Sequence, residues 1–126
     1  MGIRFVYTAL QVNDIDASEK FYTTILGMQK SVRKRVKETQ GEMCVLKSGA
    51  NVLELNWYDD AAVKKGDNLD HLAFEVDARG EFRRLMRTLR AKGIEVREYL
   101  ETEGWNRFFT RDPDGNSVEI YVRKGG

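Results

Sequence analysis

The strongest constraint on this 126-residue chain is that it is written twice. Val6-Tyr7-Thr8-Ala9-Leu10-Gln11-Val12 aligns with Asp70-His71-Leu72-Ala73-Phe74-Glu75-Val76, Ala on Ala and Val on Val, at an offset of 64. Asn51-Val52-Leu53-Glu54-Leu55 aligns with Asn116-Ser117-Val118-Glu119-Ile120 at an offset of 65, placing Glu54 on Glu119. Gly27 and Gly93, both read as helix stops, lie 66 apart. Offsets this steady across separate elements mark an internal repeat. The length leaves room for one ordinary core, so the expectation is a single domain over 1–126, with module 1 at 3–58 and module 2 at 68–123.

Each module reads strand, helix, strand, strand, strand. Residues 3–12 are rich in β-branched and aromatic side chains and predict the first strand. Asp16, with Glu19 three residues on, resembles a capping box, and Ala17, Phe21, Ile25 and Leu26 follow near helical spacing up to Gly27. Strands are predicted over 29–36, 42–47 and 51–57, with turns at Gly41 and Ser48-Gly49. After a polar break at 59–67 the order restarts with a strand over 70–76. A helix over 80–92 carries Phe82, Leu85, Met86 and Leu89 on one face. Strands over 94–99, 105–110 and 117–122 complete the module, the last two joined by the turn Asp112-Pro113-Asp114-Gly115-Asn116. The class is α+β.

Glu54 and Glu119 each sit inside apolar strand sequence, where a carboxylate either faces solvent or is held inward for a purpose. One such Glu reads as solvent-facing. Two at equivalent repeat positions, with His71 in the same repeat, read as halves of a paired site. Pseudo-twofold symmetry groups Tyr7, Glu54, His71 and Glu119. Three of these are N/O ligands of the kind that suits a borderline or harder divalent ion.

Here the sequence resembles the vicinal oxygen chelate superfamily, and within it glyoxalase I. The resemblance runs over roughly residues 5–122. It is carried by Asn13-Asp14-Ile15-Asp16-Ala17-Ser18-Glu19-Lys20-Phe21-Tyr22, by Ile25-Leu26-Gly27-Met28, and by Val52-Leu53-Glu54-Leu55-Asn56-Trp57. Asp70-His71-Leu72-Ala73-Phe74-Glu75-Val76 and Arg111-Asp112-Pro113-Asp114-Gly115-Asn116-Ser117-Val118-Glu119-Ile120 complete it. It implies two β-α-β-β-β modules whose curved mixed sheets surround a cavity, the glyoxalase/bleomycin-resistance fold. It also implies one divalent metal per site (Ni, Zn, Co or Mn) held by Glu54, His71 and Glu119, with Tyr7 standing where the family's first His ligand belongs. Glu54 and Glu119 become the catalytic bases of a lyase that isomerises a thiol adduct of methylglyoxal through an enediolate, the implied substrate being a glutathione adduct. A homodimer with a shared cavity is implied too. Two rivals stay open: a non-enzymatic, bleomycin-resistance-like binder of a drug or metabolite, and a methylmalonyl-CoA-epimerase-like enzyme. The epimerase pattern carries Gln at position 54, which counts against it.

Trp57, Trp105, Phe108 and Phe109 are candidate cavity-lining aromatics beside Tyr7, though ordinary core is the better reading for at least two of them. The remaining features mostly exclude. Lys and Arg number 21 against 20 Asp and Glu, a formal charge of +1, which gives no field to attract nucleic acid or a membrane surface. The basic run Arg79, Arg83, Arg84, Arg87, Arg90 and Lys92 reads as a solvated helix face. Basic groups at a cavity mouth would suit an anionic cosubstrate, with no single residue singled out. Cys44 is the only cysteine, so no intramolecular disulfide forms, and its apolar context reads as a buried small hydrophobe. No apolar run reaches the roughly 18 residues of a membrane span and no signal segment stands at the start, so a cytoplasmic location is expected.

Overall fold

The computed structural model of the chain describes residues 2–60, 63 and 68–124, and most of the polar break at 59–67 lies outside them. It forms two units, Met1–Lys65 and Gly66–Gly126. In the first, β1 (Thr8–Gln11) leads through α1 (Ile15–Lys20), extended by a π-helical turn at Phe21–Ile25, to β2 (Gln29–Val36), β3 (Gly41–Ser48) and β4 (Asn51–Trp57). In the second, β5 (Leu72–Val76) leads through α2 (Arg79–Ala91) to β6 (Arg97–Glu101), β7 (Trp105–Arg111) and β8 (Ser117–Arg123). The sheet orders are β1-β4-β3-β2 and β5-β8-β7-β6, the first pair parallel in each and the others antiparallel.

The two units match in register as well as order. Ala9 pairs with Glu54 in β1–β4, and Ala73 pairs with Glu119 in β5–β8. Side chains alternate along a strand, so each sheet has a core face and an open face. In the first unit Cys44, Leu46, Leu53 and Leu55 are buried, while Val45 and Glu54, also paired, lie on the other face. In the second unit Phe108, Val118, Ile120 and Val122 are buried, and α2 covers them with Phe82, whose ring lies 5.2 Å from that of Phe108. Glu119, Tyr121 and Arg123 fall on the opposite face by alternation, as do Trp105, Arg107 and Phe109, their partners in the ladder. Burying each large apolar side chain contributes roughly 1.5–3 kcal/mol, which fixes both faces: a one-residue slip would invert them.

Several local expectations are corrected. The first strand covers Thr8–Gln11 rather than 3–12, and Ile3 and Phe5 are 86% and 85% exposed. β4 begins at Asn51, so a parallel neighbour has nothing to pair with much before Thr8, which lies opposite Leu53. The cap of α1 is Asp14 rather than Asp16: its Oδ1 accepts from the Ala17 amide at 3.0 Å. Glu19 closes no capping box; it accepts from Arg33 and Cys44. The sixth strand covers Arg97–Glu101 rather than 94–99, because Ile94 is spent on the helix end. Its amide donates to Leu89 at 2.9 Å while Gly93, at φ 73°, makes the left-handed turn. Gly41 is required by close approach, since a Cβ there would meet the Trp57 carbonyl oxygen. Among the described residues no helix is long and apolar enough to cross a membrane.

Candidate functional site

His71 immediately precedes β5, two residues before Ala73, the ladder partner of Glu119. Its Nδ1 lies 2.6 Å from Asp70 Oδ1 and its Nε2 lies 3.5 Å from Glu119 Oε1. An ionised carboxylate only accepts, so Asp70 fixes the proton on Nδ1 and leaves the Nε2 lone pair facing Glu119. Two acceptors facing one another call for a shared cation, either a proton or a metal ion. The Glu119 side chain is 22% exposed and therefore reachable. Asp70 is a residue the sequence reading missed; the signal was its place beside the only His.

Phe109, directly opposite Glu119 in the ladder, meets the His71 ring edge-on at 5.4 Å. Two guanidinium groups stack on Phe109: Arg97 at 5.1 Å and Arg107 at 4.9 Å from its centroid. Arg97 is tied down, bonded to Ser117 and ion-paired with Glu95 and Glu98. Arg107 is not, and its Nη1 is buried without a hydrogen-bond partner. A cleft of about 460 Å³ lies beside Glu119, lined also by Gly104, Trp105, Tyr121 and Arg123.

Glu54 occupies the matching position of the first unit. The Asn56 amide donates to its Oε2 at 3.0 Å, so the carboxylate is held from one side. Tyr7 stands two residues before Ala9, as His71 stands before Ala73, and is 48% exposed. Of the candidate aromatics, Trp105 shares the cleft with Glu119. Phe108 is corrected: it is fully buried against Phe82 and packs the core instead of lining a cavity. Trp57 falls by alternation on the Leu53–Leu55 side of β4, the face opposite Glu54. Among the described residues no three of His, Cys, Asp and Glu gather into a group able to hold a metal ion; His71 and Glu119 stand as a pair.

Residues 4–120 match the Glyoxalase/Bleomycin resistance protein/Dioxygenase superfamily. The chain belongs to this superfamily. It is 31% identical to a lactoylglutathione lyase of Neisseria meningitidis, over 98% of this chain and 94% of that one. It is 28% identical to a probable trivalent organoarsenical cleaving enzyme of Bacillus subtilis, over 97% and 82%. The trypanothione-dependent glyoxalase I of Leishmania major superposes with a TM-score of 0.80 at 28% identity, covering 98% and 89%. The α+β architecture of two four-stranded mixed sheets is thus the glyoxalase/bleomycin-resistance fold, and the relatives at about 30% identity include enzymes named lactoylglutathione lyase.

Proposed function

We propose that the chain is a glyoxalase-I-like, metal-dependent lyase that isomerises a thiol adduct of an α-oxoaldehyde. The observation that carries this reading is the His71–Glu119 pair, with Asp70 on the far ring nitrogen. A neutral imidazole nitrogen beside a carboxylate is a donor set that fits a divalent ion, and a carboxylate on the other ring nitrogen is the usual outer partner of a ligating His. Glu54 is proposed as the third ligand and Tyr7 as occupant of the fourth position, the set being completed in a homodimer. When bound, the ion would act as a Lewis acid towards two neighbouring substrate oxygens.

The remaining work falls to the chain. Glu54 and Glu119 are the proposed bases, one taking a proton from carbon and the other returning one to the neighbouring carbon. Asn56 keeps Glu54 Oε2 occupied, leaving Oε1 to face the substrate. Arg107, cationic and with its Nη1 lacking a hydrogen-bond partner, suits a carboxylate of the thiol portion, and Trp105 offers an apolar wall.

Metal analysis of protein purified without chelator tests the reading. Stoichiometric Ni, Zn, Co or Mn that disappears in Glu119→Gln supports it. A folded, metal-free protein that binds an aromatic drug in the Trp105 cleft overturns it and favours the non-enzymatic binder.

A further inference from the structure

The second unit carries another cavity, of about 320 Å³, on the α2 side of its sheet and so on the face opposite Glu119. Arg79 and Arg83, one helical turn apart on α2, stand at its wall. Neither makes an ion pair or hydrogen bond with another described residue. Phe82, Met86 and Val122 supply an apolar floor, and Glu101 and Asn106 face the arginines from β6 and β7. The Asn106 amide nitrogen donates to Glu101 Oε1 at 3.4 Å, while its Oδ1 is buried and has no donor. A buried carbonyl oxygen without a partner is uncommon.

The backbone is bent to build this cavity. The β6–β7 register breaks between Arg97, opposite Phe109, and Leu100, opposite Arg107. Glu98 there holds φ 54°, a left-handed conformation that a non-glycine residue seldom adopts. The extra residue reverses the alternation, so Tyr99 and Glu101 join the wall on the α2 side, Tyr99 lying 6.4 Å from Phe82. Strained, bulged strands of this kind re-aim side chains towards ligands.

We infer that this cavity is a second binding site, for a small zwitterion with an apolar side chain, of the α-amino acid type. Two unpaired guanidinium groups take the carboxylate. Glu101, exposed at the cavity wall, takes the ammonium N–H donors. Phe82, Met86 and Val122 take the side chain. The volume is at the small-ligand end of the usual range. All of its walls belong to the second unit, so it owes nothing to Glu54, His71 or Glu119.

Calorimetric titration of the purified protein with L-leucine, leucinamide and N-acetyl-L-leucine tests the site. Leucinamide lacks the carboxylate and the acetyl derivative lacks the ammonium, so each should bind at least tenfold more weakly than L-leucine. Arg79→Gln/Arg83→Gln, at exposed positions, should erase the preference over leucinamide, and Glu101→Gln the preference over the acetyl derivative. Glu119→Gln should bind L-leucine like the parent. Equal affinity for the three probes, no binding of any, or loss of L-leucine binding in Glu119→Gln would each overturn the inference. Metal content reads the proposed lyase site separately, so the two readings fail independently.

Discussion

His71 Nε2 stands 3.5 Å from Glu119 Oε1 because Asp70 holds the opposite ring nitrogen at 2.6 Å. Asp70 is therefore a positioning residue: it sets which nitrogen carries the proton and how the ring lies. Its own side chain is exposed, so removing it leaves the core intact. Asp70→Ala should weaken divalent metal binding by about 10–100-fold with little change in thermal unfolding. Competition against a chelating dye measures the first and circular dichroism the second. Unchanged metal affinity would show that His71 is not a ligand.

Tyr7 precedes β1 by the same step as His71 precedes β5. A neutral phenol is a weak donor to a divalent ion compared with an imidazole nitrogen. Tyr7→His should then raise metal affinity by about tenfold or more, since an imidazole replaces a weak donor at the fourth position of the proposed set. The same dye competition reads it, and no change would mean that this position takes no part in the site.

Arg107 differs from its neighbour Arg97 in having no carboxylate partner among the described residues while sharing the Phe109 ring. Arg107→Met keeps much of the stacked bulk and removes the charge. Under the lyase reading it should raise KM for a glutathione adduct at least tenfold while kcat changes little, the signature of lost ground-state binding. A fall in kcat with KM unchanged would place Arg107 with the reacting atoms instead.

Phe108 and Trp105 both looked like cavity aromatics, and alternation along β7 separates them. Phe108→Ala should cost about 3–5 kcal/mol of stability, as truncating a fully buried aromatic does, whereas Trp105→Ala should cost well under half as much. Chemical denaturation of both variants decides it.

The repeat, the order of elements and the ladder positions of Glu54 and Glu119 were legible in the sequence because they follow from periodicity and turn residues. The bounds of β2 and β4 were legible for the same reason. The stretch 3–7 was misread because strand propensity cannot supply a partner strand: β4 starts too late to pair with Ile3 or Phe5. Asp14 won over Asp16 as the cap because the helix starts two residues earlier than the Asp16–Glu19 spacing suggested, and Asp16 pairs with Arg33 instead. The Asn56–Glu54 and Asp70–His71 contacts depend on rotamers, which no one-dimensional pattern encodes. The Glu98 bulge was invisible for a related reason: a single extra residue in β6 reverses its faces without altering its composition.

Cys44 borders a polar cluster centred on Arg33. Arg33 reaches Asp16 at 2.7 Å, Glu42 at 2.9 Å and Glu19 at 3.2 Å, and the Cys44 thiol donates to Glu19 at 3.4 Å. The hydrogen bond that Arg33 donates to Asp16 leads the effects that hold its guanidinium above the ordinary value. Burial, reinforced by Glu19, pushes the Cys44 thiol up to about 12. In the unfolded chain a thiol ionises at about 8.5. Between those values the unfolded state loses a proton that the folded state keeps, so the Cys44 contribution is fully present below about pH 8.5 and is lost as pH rises towards 12. The slope reaches about 1.4 kcal/mol per pH unit. Cys44→Ala should remove that part of the alkaline loss while lowering stability near neutrality through the small cavity it leaves. Denaturant unfolding of parent and variant from pH 7 to 11 measures the difference. Parallel pH profiles would show that Cys44 ionises as readily in the folded protein as in the unfolded chain.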